Sequence, residues 1–388
     1  MTTVLVIGAV LFGLPGLATA LHLGLLALAS LVYRERVPQA DNEMRFLVLI
    51  PAYNEESVIG RCLQAIEDDR RERDSVLVVA DRCTDSTAEI ARAFGATVLE
   101  RHPDEQPGRA AARQAGLEAA RGLEWDAVVM LDADSVVESG FLGSCERALV
   151  AGAPAVQARS ESRGGRGLGA EASLAAFALQ GITIPRGRDR LGLPVRLRGT
   201  GMALRRDVAL SHRFGAPASE DLVFTLDLLL DGIRCAHVES ARLHSDGAPD
   251  WTVFGEQKVR YEAGRMSAAR AYAGPLLARA LRHRDAACLE AAWFLATLPF
   301  AMAVLSAAGG ATLAALAGSW PVAAVMSAAL LTLVLTLVIG LVQAGAGLRT
   351  WLALLAAPWY VAWKAAVQLR ALASVLRRRD YYPPTARA

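Results

Sequence analysis

The stretch DAVVMLDAD, residues 126–134, is a short apolar run that ends in two aspartates separated by one alanine. An apolar run of this length without polar alternation predicts a strand that is buried on both faces, as in a parallel sheet. Strands alternating with helices predict βαβ units and an α/β domain with a mostly parallel sheet. The predicted strands are 45–51, 75–80, 96–99 and 126–131, and the predicted helices between them are 56–68, 84–94 and 110–121.

Polar clusters follow three of these strands, at residues 51–56 (PAYNEE), 81–85 (DRCTD) and 132–135 (DADS). Because ligands bind outside the carboxyl ends of parallel strands, we expect the three clusters to meet at one edge. Asp132 and Asp134 offer oxygen ligands at alternate positions, which suit Mg²⁺ or Mn²⁺ bridging to a substrate phosphate. A solvated turn or a helix cap is the alternative interpretation. The sequence contains no GxGxxG after the first strand and no GxxxxGK[ST], so the usual phosphate cradles of dinucleotide enzymes and P-loop proteins are missing.

The composition of the 388 residues excludes several classes of protein. Apolar residues make up 53% and charged residues 21%, which excludes a disordered chain and a collagen-like repeat. The formal net charge of +2 gives no indication of nucleic-acid binding. Five scattered cysteines without a CxxC pair argue against a disulfide framework and a structural zinc site, and they indicate a reducing compartment.

The excess apolar residues lie at the two ends of the chain. Residues 2–33 contain no Asp, Glu, Lys or Arg, and this run is long enough for one tilted membrane helix. A signal peptide is the competing interpretation, but the start of the chain is not basic and the run is too long for one. Residues 291–348 are equally free of charge, and the Ser-Trp-Pro at 319–321 predicts a hairpin of helices at about 291–317 and 321–346. Residues 351–376 combine interfacial aromatics with Lys364 and Arg370. They predict a helix in the membrane interface or a third C-terminal span.

These patterns divide the chain into six parts. They are a transmembrane helix at 1–34, an α/β domain at 45–265, an interfacial segment at 270–290, a transmembrane hairpin at 291–346, the helix at 351–376 and a basic cytoplasmic tail at 377–388. The basic residues beside the apolar runs all lie on one side if the N-terminus is outside. We therefore expect an integral protein of the inner or plasma membrane with its α/β domain in the cytoplasm.

Six short motifs occur in order along residues 45–265. They are IPAYNEE at 50–56, DRCTDST at 81–87, DAD at 132–134, RGTGMALRR at 198–206, SEDL at 219–222 and QKVRY at 257–261. Together they resemble the membrane-attached family-2 glycosyltransferases. Two positions depart from the family pattern: Tyr261 stands in place of tryptophan, and Arg109 follows Gly108 where many relatives have Gly-Lys. Both keep the chemistry, since tyrosine retains an aromatic face and arginine binds phosphate.

The resemblance implies a GT-A (Rossmann-like) domain flanked by N- and C-terminal transmembrane helices. It also implies inverting transfer from a nucleotide diphosphate sugar, with UDP preferred over GDP and Mn²⁺ or Mg²⁺ as the cofactor. Asp134 is then the main metal ligand with Asp132 assisting, and Asp221 is the general base. Glu220 orients the base or binds the acceptor. The pair Glu220-Asp221 can also cap the helix that follows it.

The remaining site residues come from the same resemblance. It implies donor contacts from Pro51, Tyr53, Glu55, Asp81, Arg109, Asp132 and Arg260. It implies acceptor contacts from Gly199, Thr200, Gly201, Gln257 and Tyr261. Among the donor contacts, Asp81 binds the nucleobase, Tyr53 packs on it and Glu55 holds the ribose. For Arg260, which is assigned to the pyrophosphate, an interfacial arginine near lipid headgroups is the alternative.

Two other functions stay open at this point. The first is a processive polysaccharide synthase, which needs a polar tunnel that a few apolar helices supply only in an oligomer. The second is a transporter or scaffold that binds a nucleotide sugar without catalysis, although the paired repeats and intramembrane polar sites typical of transporters are not apparent in the sequence. The expected partners are a nucleotide-sugar donor, a lipid or glycan acceptor and membrane lipid, with no nucleic acid and with oligomerisation possible.

Overall fold

The structure is a computed structural model that describes residues 2–35, 43–163, 168–215, 219–246 and 251–377. The chain forms two compact units. We call the first, Met1–Tyr33 with Gly165–Leu191 and Ala248–Ala388, the apolar unit. We call the second, Arg34–Gly164 with Gly192–Gly247, the sheet unit. Residues 165–191 and 248–265, which the sequence analysis placed in the α/β domain, thus belong to the apolar unit.

The elements follow one another along the chain as strands and helices. The strands are β1 (Phe46–Ala52), β2 (Ser75–Asp81), β3 (Thr97–Arg101), β4 (Ala127–Met130), β5 (Ser135–Val137), β6 (Ala155–Arg163), β7 (Met202–Arg205) and β8 (Cys235–Asp246). The helices are α1 (Thr2–Leu31), α2 (Ile59–Asp69), α3 (Thr87–Ala93), α4 (Arg109–Ala119), α5 (Phe141–Val150), α6 (Leu168–Ala178), α7 (Ile184–Arg190), α8 (Arg206–Ser211), α9 (Glu220–Leu230), α10 (Trp251–His283), α11 (Ala286–Ala296), α12 (Phe300–Leu316), α13 (Trp320–Gln343), α14 (Leu348–Ala353) and α15 (Ala357–Leu376). A π-helical turn, Leu179–Thr183, joins α6 to α7.

All eight strands form one sheet in the order β3-β2-β1-β4-β7-β6-β8-β5. The strands β3, β2, β1 and β4 are mutually parallel, which confirms the four predicted strands and their predicted direction. Beyond β4 the sheet becomes mixed, because β7 runs antiparallel to both β4 and β6. The sheet is therefore mostly parallel on the side that carries the three polar clusters.

The alternation along β1 shows how the sheet is covered on both faces. Phe46, Val48 and Ile50 pack into one core with residues of α2, α3 and α5. Leu47 and Leu49 point the other way, into a second core with residues of α4, α8 and α9. An uninterrupted apolar strand is explained by this burial on two faces.

The topology sets the position of the polar clusters. Both β2 and β4 pair with β1, one on each side, and the chain order reverses between them. A crevice forms at such a reversal, outside the carboxyl ends of the strands. The segments that follow β1, β2 and β4 therefore lie side by side at one edge.

The apolar unit contains helices of membrane-spanning length. Three segments, Thr2–Leu31, Trp320–Gln343 and Leu348–Leu376, are long and apolar enough to cross a bilayer. The bent pair Ala286–Ala296 and Phe300–Leu316 makes a fourth if it counts as one span. These assignments rest on length and composition within the described residues, so an interfacial position for the last segment stays open.

The structure differs from the prediction of one continuous helix at about 291–317. That helix is broken between α11 and α12, and the two parts are bent by 68°. Pro299 explains the break, because proline lacks an N–H and disfavours helical backbone in the residue before it. Arg265 compensates the opened turn, since its guanidinium donates to the carbonyl oxygens of Phe294 (3.1 Å) and Thr297 (2.6 Å).

Buried ion pairs connect the helices of the apolar unit. Lys364 of α15 donates to Glu262 of α10 at 3.0 Å, and Arg188 of α7 donates to Glu290 of α11 at 2.6 Å. Both pairs are largely shielded from solvent. A buried charge needs such a partner, so the lysine that made 351–376 ambiguous in the sequence is neutralised by an acid on another helix.

Candidate active site

The loops after β1 and β2 are fastened to each other by side-chain hydrogen bonds. The Asn54 Oδ1 atom accepts from the Thr84 amide at 2.8 Å, and the Glu55 amide donates to Thr87 Oγ1 at 2.9 Å. Asn54 and Arg82 have left-handed backbone, with φ of 52° and 58°. Such conformations cost energy in non-glycine residues and persist where the surroundings enforce them. The two loops therefore form one rigid wall.

The wall presents a buried carboxylate beside an exposed ring. Asp81, at the end of β2, accepts from the Arg101 guanidinium at 2.7 Å and from Arg82 at 3.2 Å. A longer contact of 3.4 Å joins Asp81 to the amide of Gly108. The Tyr53 ring is 41% exposed, and the Arg82 guanidinium lies 5.5 Å from its centroid. Asp81 is thus held in place, and the nearby Tyr53 side chain is open to solvent in part.

Helix α4 begins at this wall and carries two arginines toward the acidic loop. Gly108 precedes the helix with a φ of 114°, a conformation that favours glycine. Arg109 Nη1 lies 3.0 Å from Asp132 Oδ2, and its side chain is 46% exposed. Arg113, one turn later, has no exposed side-chain surface and lies 3.1 Å from Asp132 Oδ1. Each oxygen of Asp132 therefore faces one arginine.

The loop after β4 is braced by the segment predicted to bind the acceptor. The Asp132 amide donates to Thr200 Oγ1 at 3.1 Å, and the same hydroxyl lies 2.7 Å from Ser135 Oγ. The Thr200 hydroxyl thus supports the acidic loop, and its contact with an acceptor stays a prediction. Gln157 supports this segment in turn, donating to the Thr200 carbonyl at 2.9 Å.

Two glycines flank Thr200 for different reasons of geometry. Gly199 has a φ of 83° and offers its carbonyl oxygen to Arg113 at 2.9 Å. Gly201 has a φ of 67°, and a Cβ there would lie 2.2 Å from Leu243 Cδ2. The segment therefore needs glycine on both sides to pass this closely, and its contact with an acceptor stays a prediction.

The Glu-Asp pair lies in the first turn of α9, after Ser219 in left-handed conformation (φ 56°). Glu220 Oε1 lies 3.3 Å from Arg113 Nη1. Asp221 Oδ2 lies 3.6 Å from Arg196 Nη2, and its Oδ1 accepts from the Leu222 amide at 2.8 Å. Both acids are partly exposed. Their position in the first turn also agrees with a capping role, so the same two acids can stabilise the helix start and serve the site.

Four carboxylates act together on Arg109. Asp132 raises the pKa of the Arg109 guanidinium most strongly; partial loss of hydration opposes the rise, and three further acids add to it: Glu220, Asp134 and Asp221. The two acidic motifs, separated by more than eighty residues, therefore share one electrostatic neighbourhood. Among the described residues, no three His, Cys, Asp or Glu side chains form a group that holds a metal ion unaided.

The last predicted motif lies in the other unit. Arg260 and Tyr261 are partly buried residues of α10 in the apolar unit. Gln257 belongs to the same helix, but its side chain lies outside the described residues. The donor and acceptor contacts assigned to these three residues remain predictions. Glu55 and Pro51, in contrast, lie in the sheet unit at the predicted edge, and both are partly exposed.

The sequence analysis missed three residues that organise this site: Arg113, Arg101 and Gln157. A signal existed for Arg113, because it lies four residues after Arg109 and shares its face of α4. It also interrupts the buried apolar side of that helix, where Ala112 and Leu117 are core residues. Arg101 and Gln157 lie inside strands and carried no comparable signal.

Comparison with known proteins agrees with this geometry. The family model described as "Glycosyltransferase like family 2" matches residues 44–264, which is more than half of the chain. The chain therefore belongs to this family of glycosyltransferases, as the six motifs predicted. No curated protein shows significant similarity to the chain.

Solved structures of similar fold include the mannosyltransferase PcManGT from Pyrobaculum calidifontis in complex with GDP-Man and Mn²⁺. It is 17% identical, with a TM-score of 0.61, and the match covers 98% of this chain and 100% of that chain. Glucosyl-3-phosphoglycerate synthase from Mycobacterium tuberculosis, with Mn²⁺, UDP and glucosyl-3-phosphoglycerate, is 22% identical (TM-score 0.43; 62% and 82% covered). TarS from S. aureus is 17% identical (TM-score 0.43; 60% and 66% covered). The first likeness, over the whole chain, confirms the predicted GT-A fold.

Proposed function

We propose that the chain is a membrane-bound, inverting hexosyltransferase. It moves a sugar from a nucleotide diphosphate sugar to a lipid or glycan acceptor. The observation that carries this proposal is the meeting of two acidic motifs at the carboxyl edge of the sheet: Asp132 contacts Arg109 and Arg113, and Arg113 also contacts Glu220, which precedes Asp221. Displacement of a nucleoside diphosphate needs fixed charges of both signs beside the reacting carbon, and this neighbourhood provides them.

The donor nucleotide lies, in this proposal, against the wall after β1 and β2. Asp81 is buried and fixed, so its carboxylate can accept an N–H of uracil or guanine. The exposed Tyr53 ring packs on the base, while Glu55 holds the ribose and Pro51 borders the pocket. UDP-sugar is the first candidate. GDP-sugar is the second, and the Pyrobaculum structure contains GDP-Man.

The residues present suit a divalent cation next to the donor diphosphate. Asp134 is its main proposed ligand, with Asp132 assisting, and phosphate oxygens complete the set, because Mn²⁺ and Mg²⁺ take oxygen ligands. When bound, the cation supplies charge neutralisation for the departing diphosphate. Arg109 is half-exposed, so it can turn from Asp132 to a diphosphate oxygen. Arg260 is proposed as a second cation for the same group.

Asp221 is the proposed general base for the acceptor hydroxyl. It is partly exposed at the start of α9, and its Oδ2 lies 3.6 Å from Arg196 Nη2. A carboxylate in this position can accept the hydroxyl proton as the hydroxyl oxygen attacks the anomeric carbon. Glu220, held by Arg113, orients the base. Gly199, Thr200, Gly201, Gln257 and Tyr261 are the proposed acceptor contacts.

The apolar unit is proposed to anchor the enzyme in the inner or plasma membrane, with the sheet unit in the cytoplasm. Three of its helical segments, or four with the bent pair, are long and apolar enough to cross a bilayer. A lipid-linked acceptor is favoured over a growing polysaccharide, because so few apolar spans give no obvious polar tunnel in one chain. A processive synthase built as an oligomer is the alternative. A non-catalytic scaffold or transporter is the alternative from another class.

Replacing Asp221 by asparagine tests the proposal. The change keeps the shape but removes the base, so transfer of radiolabelled sugar should fall about 10²–10⁴-fold while binding of UDP or GDP with Mn²⁺ is kept. Asp227→Asn, in the same helix, is the matched control and should retain transfer. Unchanged transfer in Asp221→Asn removes this residue from the base role. A screen of UDP-, GDP- and TDP-sugars in nanodiscs identifies the donor, and no nucleotide release from any of them supports the scaffold alternative.

A further inference from the structure

Arg113 is a fully buried arginine whose guanidinium contacts an acid from each of two motifs. Its Nη1 lies 3.3 Å from Glu220 Oε1, and its Nη2 lies 3.1 Å from Asp132 Oδ1. The same Nη2 donates to the Gly199 carbonyl at 2.9 Å. One side chain thus contacts the acidic loop after β4, the glycine-containing segment and the start of α9.

Burial makes this arrangement informative. A buried guanidinium is costly unless charged groups and hydrogen bonds compensate it. A core position on α4 accepts an aliphatic side chain at no such cost, and Ala112 and Leu117 beside it are of that kind. The Phe214 ring, 5.9 Å from the Arg113 guanidinium, closes the position further. The cost of burying Arg113 is therefore offset by the groups that its side chain connects.

Arg109 gives a contrast within the same helix. It contacts Asp132 as well, but its side chain is 46% exposed, whereas that of Arg113 has no exposed surface. An exposed arginine can exchange a carboxylate for a substrate phosphate. A buried one is fixed and cannot reach a ligand, so its effect must pass through the carboxylates that it holds.

We infer that Arg113 is a positioning residue for the transfer reaction. It sets the distance between the carboxylate of Asp132, on the donor side, and the first turn of α9, which carries Asp221. Its planar fork presents two N–H directions, one for each acid, whereas a lysine ammonium is a single point charge on a flexible stem. This inference rests on the proposed function, because it concerns the alignment of the base with the donor.

The test compares Arg113→Lys with Arg109→Lys in the chain of 388 residues, held in nanodiscs. The substrates are UDP-glucose and GDP-mannose with Mn²⁺, and nucleotide release is followed with water as the acceptor, whose hydroxyl takes the sugar and whose proton goes to the base. For Arg113→Lys we expect kcat to fall about 10–100-fold, the size of effect that a misplacement of about 1 Å produces. The donor KM and the Kd of UDP or GDP should change less than threefold. For Arg109→Lys we expect the opposite split, with the donor KM raised more than kcat is lowered.

A double variant separates positioning from a general loss of structure. Glu220→Gln removes one of the acids that Arg113 holds, so Arg113→Lys combined with Glu220→Gln should be no slower than the worse single variant. Multiplying defects in the double variant would overturn the inference. So would an unchanged kcat, or a nucleotide Kd that weakens in proportion to kcat. If Arg113→Lys does not fold, Arg113→Gln takes its place, since its planar amide keeps an N–H donor without the fork; the same split between kcat and KM is expected, and an unchanged kcat overturns the inference.

The outcome for Asp221→Asn keeps the two proposals apart. If that variant transfers sugar normally, the proposed base is wrong whatever Arg113 does. If it is inactive while Arg113→Lys is fully active, the proposed function stands and the positioning role fails.

Discussion

Gly187 in α7 lies directly against the backbone of α1, and its replacement by alanine tests how tightly the apolar unit is packed. A Cβ atom at Gly187 would lie 2.1 Å from the carbonyl oxygen of Leu26 and 2.8 Å from its carbonyl carbon. Non-bonded heavy atoms prefer about 3.5–4.0 Å. A backbone carbonyl inside a helix cannot rotate aside, so the two helices must separate by roughly 1 Å or more.

The size of the effect follows from three opposing contributions. Alanine gains about 1 kcal/mol of helix propensity over glycine. Overpacking costs about 1–3 kcal/mol and occasionally more, and a gap of about 0.5–1 Å removes a quarter to a half of the dispersion energy at the contacts that open. Because the contact is with backbone, the upper part of these ranges applies. We expect the free energy of unfolding of the apolar unit to fall by about 2 kcal/mol. For a unit of this size, this lowers its Tm by about 4–8 °C.

The measurement is thermal unfolding of the full chain in detergent. Gly8→Ala is the matched control, since Gly8 lies in α1 and a Cβ there meets no heavy atom within 4 Å. The control should match or slightly exceed the Tm of the unsubstituted chain. Equal Tm values for Gly187→Ala and Gly8→Ala would show that α7 does not approach α1 in this way.

Two further predictions concern charged groups. Lys364→Glu should destabilise the apolar unit by about 3–5 kcal/mol, because it leaves Glu262 buried beside a like charge. Combining it with Glu262→Lys should restore most of the lost Tm. A double variant as unstable as the single one would contradict the pairing. Burial raises the pKa of Asp85, but hydrogen bonds from the Thr87 hydroxyl and from the Glu56 and Thr87 amides outweigh it, so the pKa lies below its ordinary value. The carboxylate therefore stabilises the fold above the unfolded pKa of about 3.9, and this is lost as the pH falls through the folded pKa. Asp85→Asn should lower the free energy of unfolding by about 1 kcal/mol at pH 7 and by progressively less below pH 4. Thermal unfolding of the variant and the unsubstituted chain, at pH 7 and below pH 4, measures this. An equal loss of stability at the two pH values would refute the assignment.

Much of the sheet unit follows from simple features of the sequence. The apolar run at 126–131 has no polar alternation, and β4 is indeed buried on both faces, with Val129 in one core and Val128 and Met130 in the other. The convergence of the polar clusters followed from one rule, that parallel strands end at the same edge. The rule places Asp81 and Asp132 at that edge without any knowledge of side-chain contacts.

The apolar unit was harder to predict, because hydropathy alone does not distinguish a straight helix from a broken one. The charge-free run at 291–348 concealed the bend at Pro299, although the proline itself was a local signal. Residues 184–190, which form α7, show a second limit of local patterns. The segment is rich in arginine, yet Arg188 is buried and paired with Glu290 from a segment a hundred residues later. Such a pairing is a long-range property that no local pattern contains.

Arg113 shows the same limit within the site. Asp132 and Glu220 were identifiable because each belongs to a short motif at the end of a strand or the start of a helix. Arg113 belongs to no such motif, and its importance comes from lying between two segments that are distant in sequence. A carboxylate that contacts substrate must occupy a fixed place on an exposed loop, where composition and turn signals mark it. A cation that holds such carboxylates in place lies in the core. In the sequence it looks like any surface arginine of a helix, and only its burial, which the fold reveals, distinguishes it.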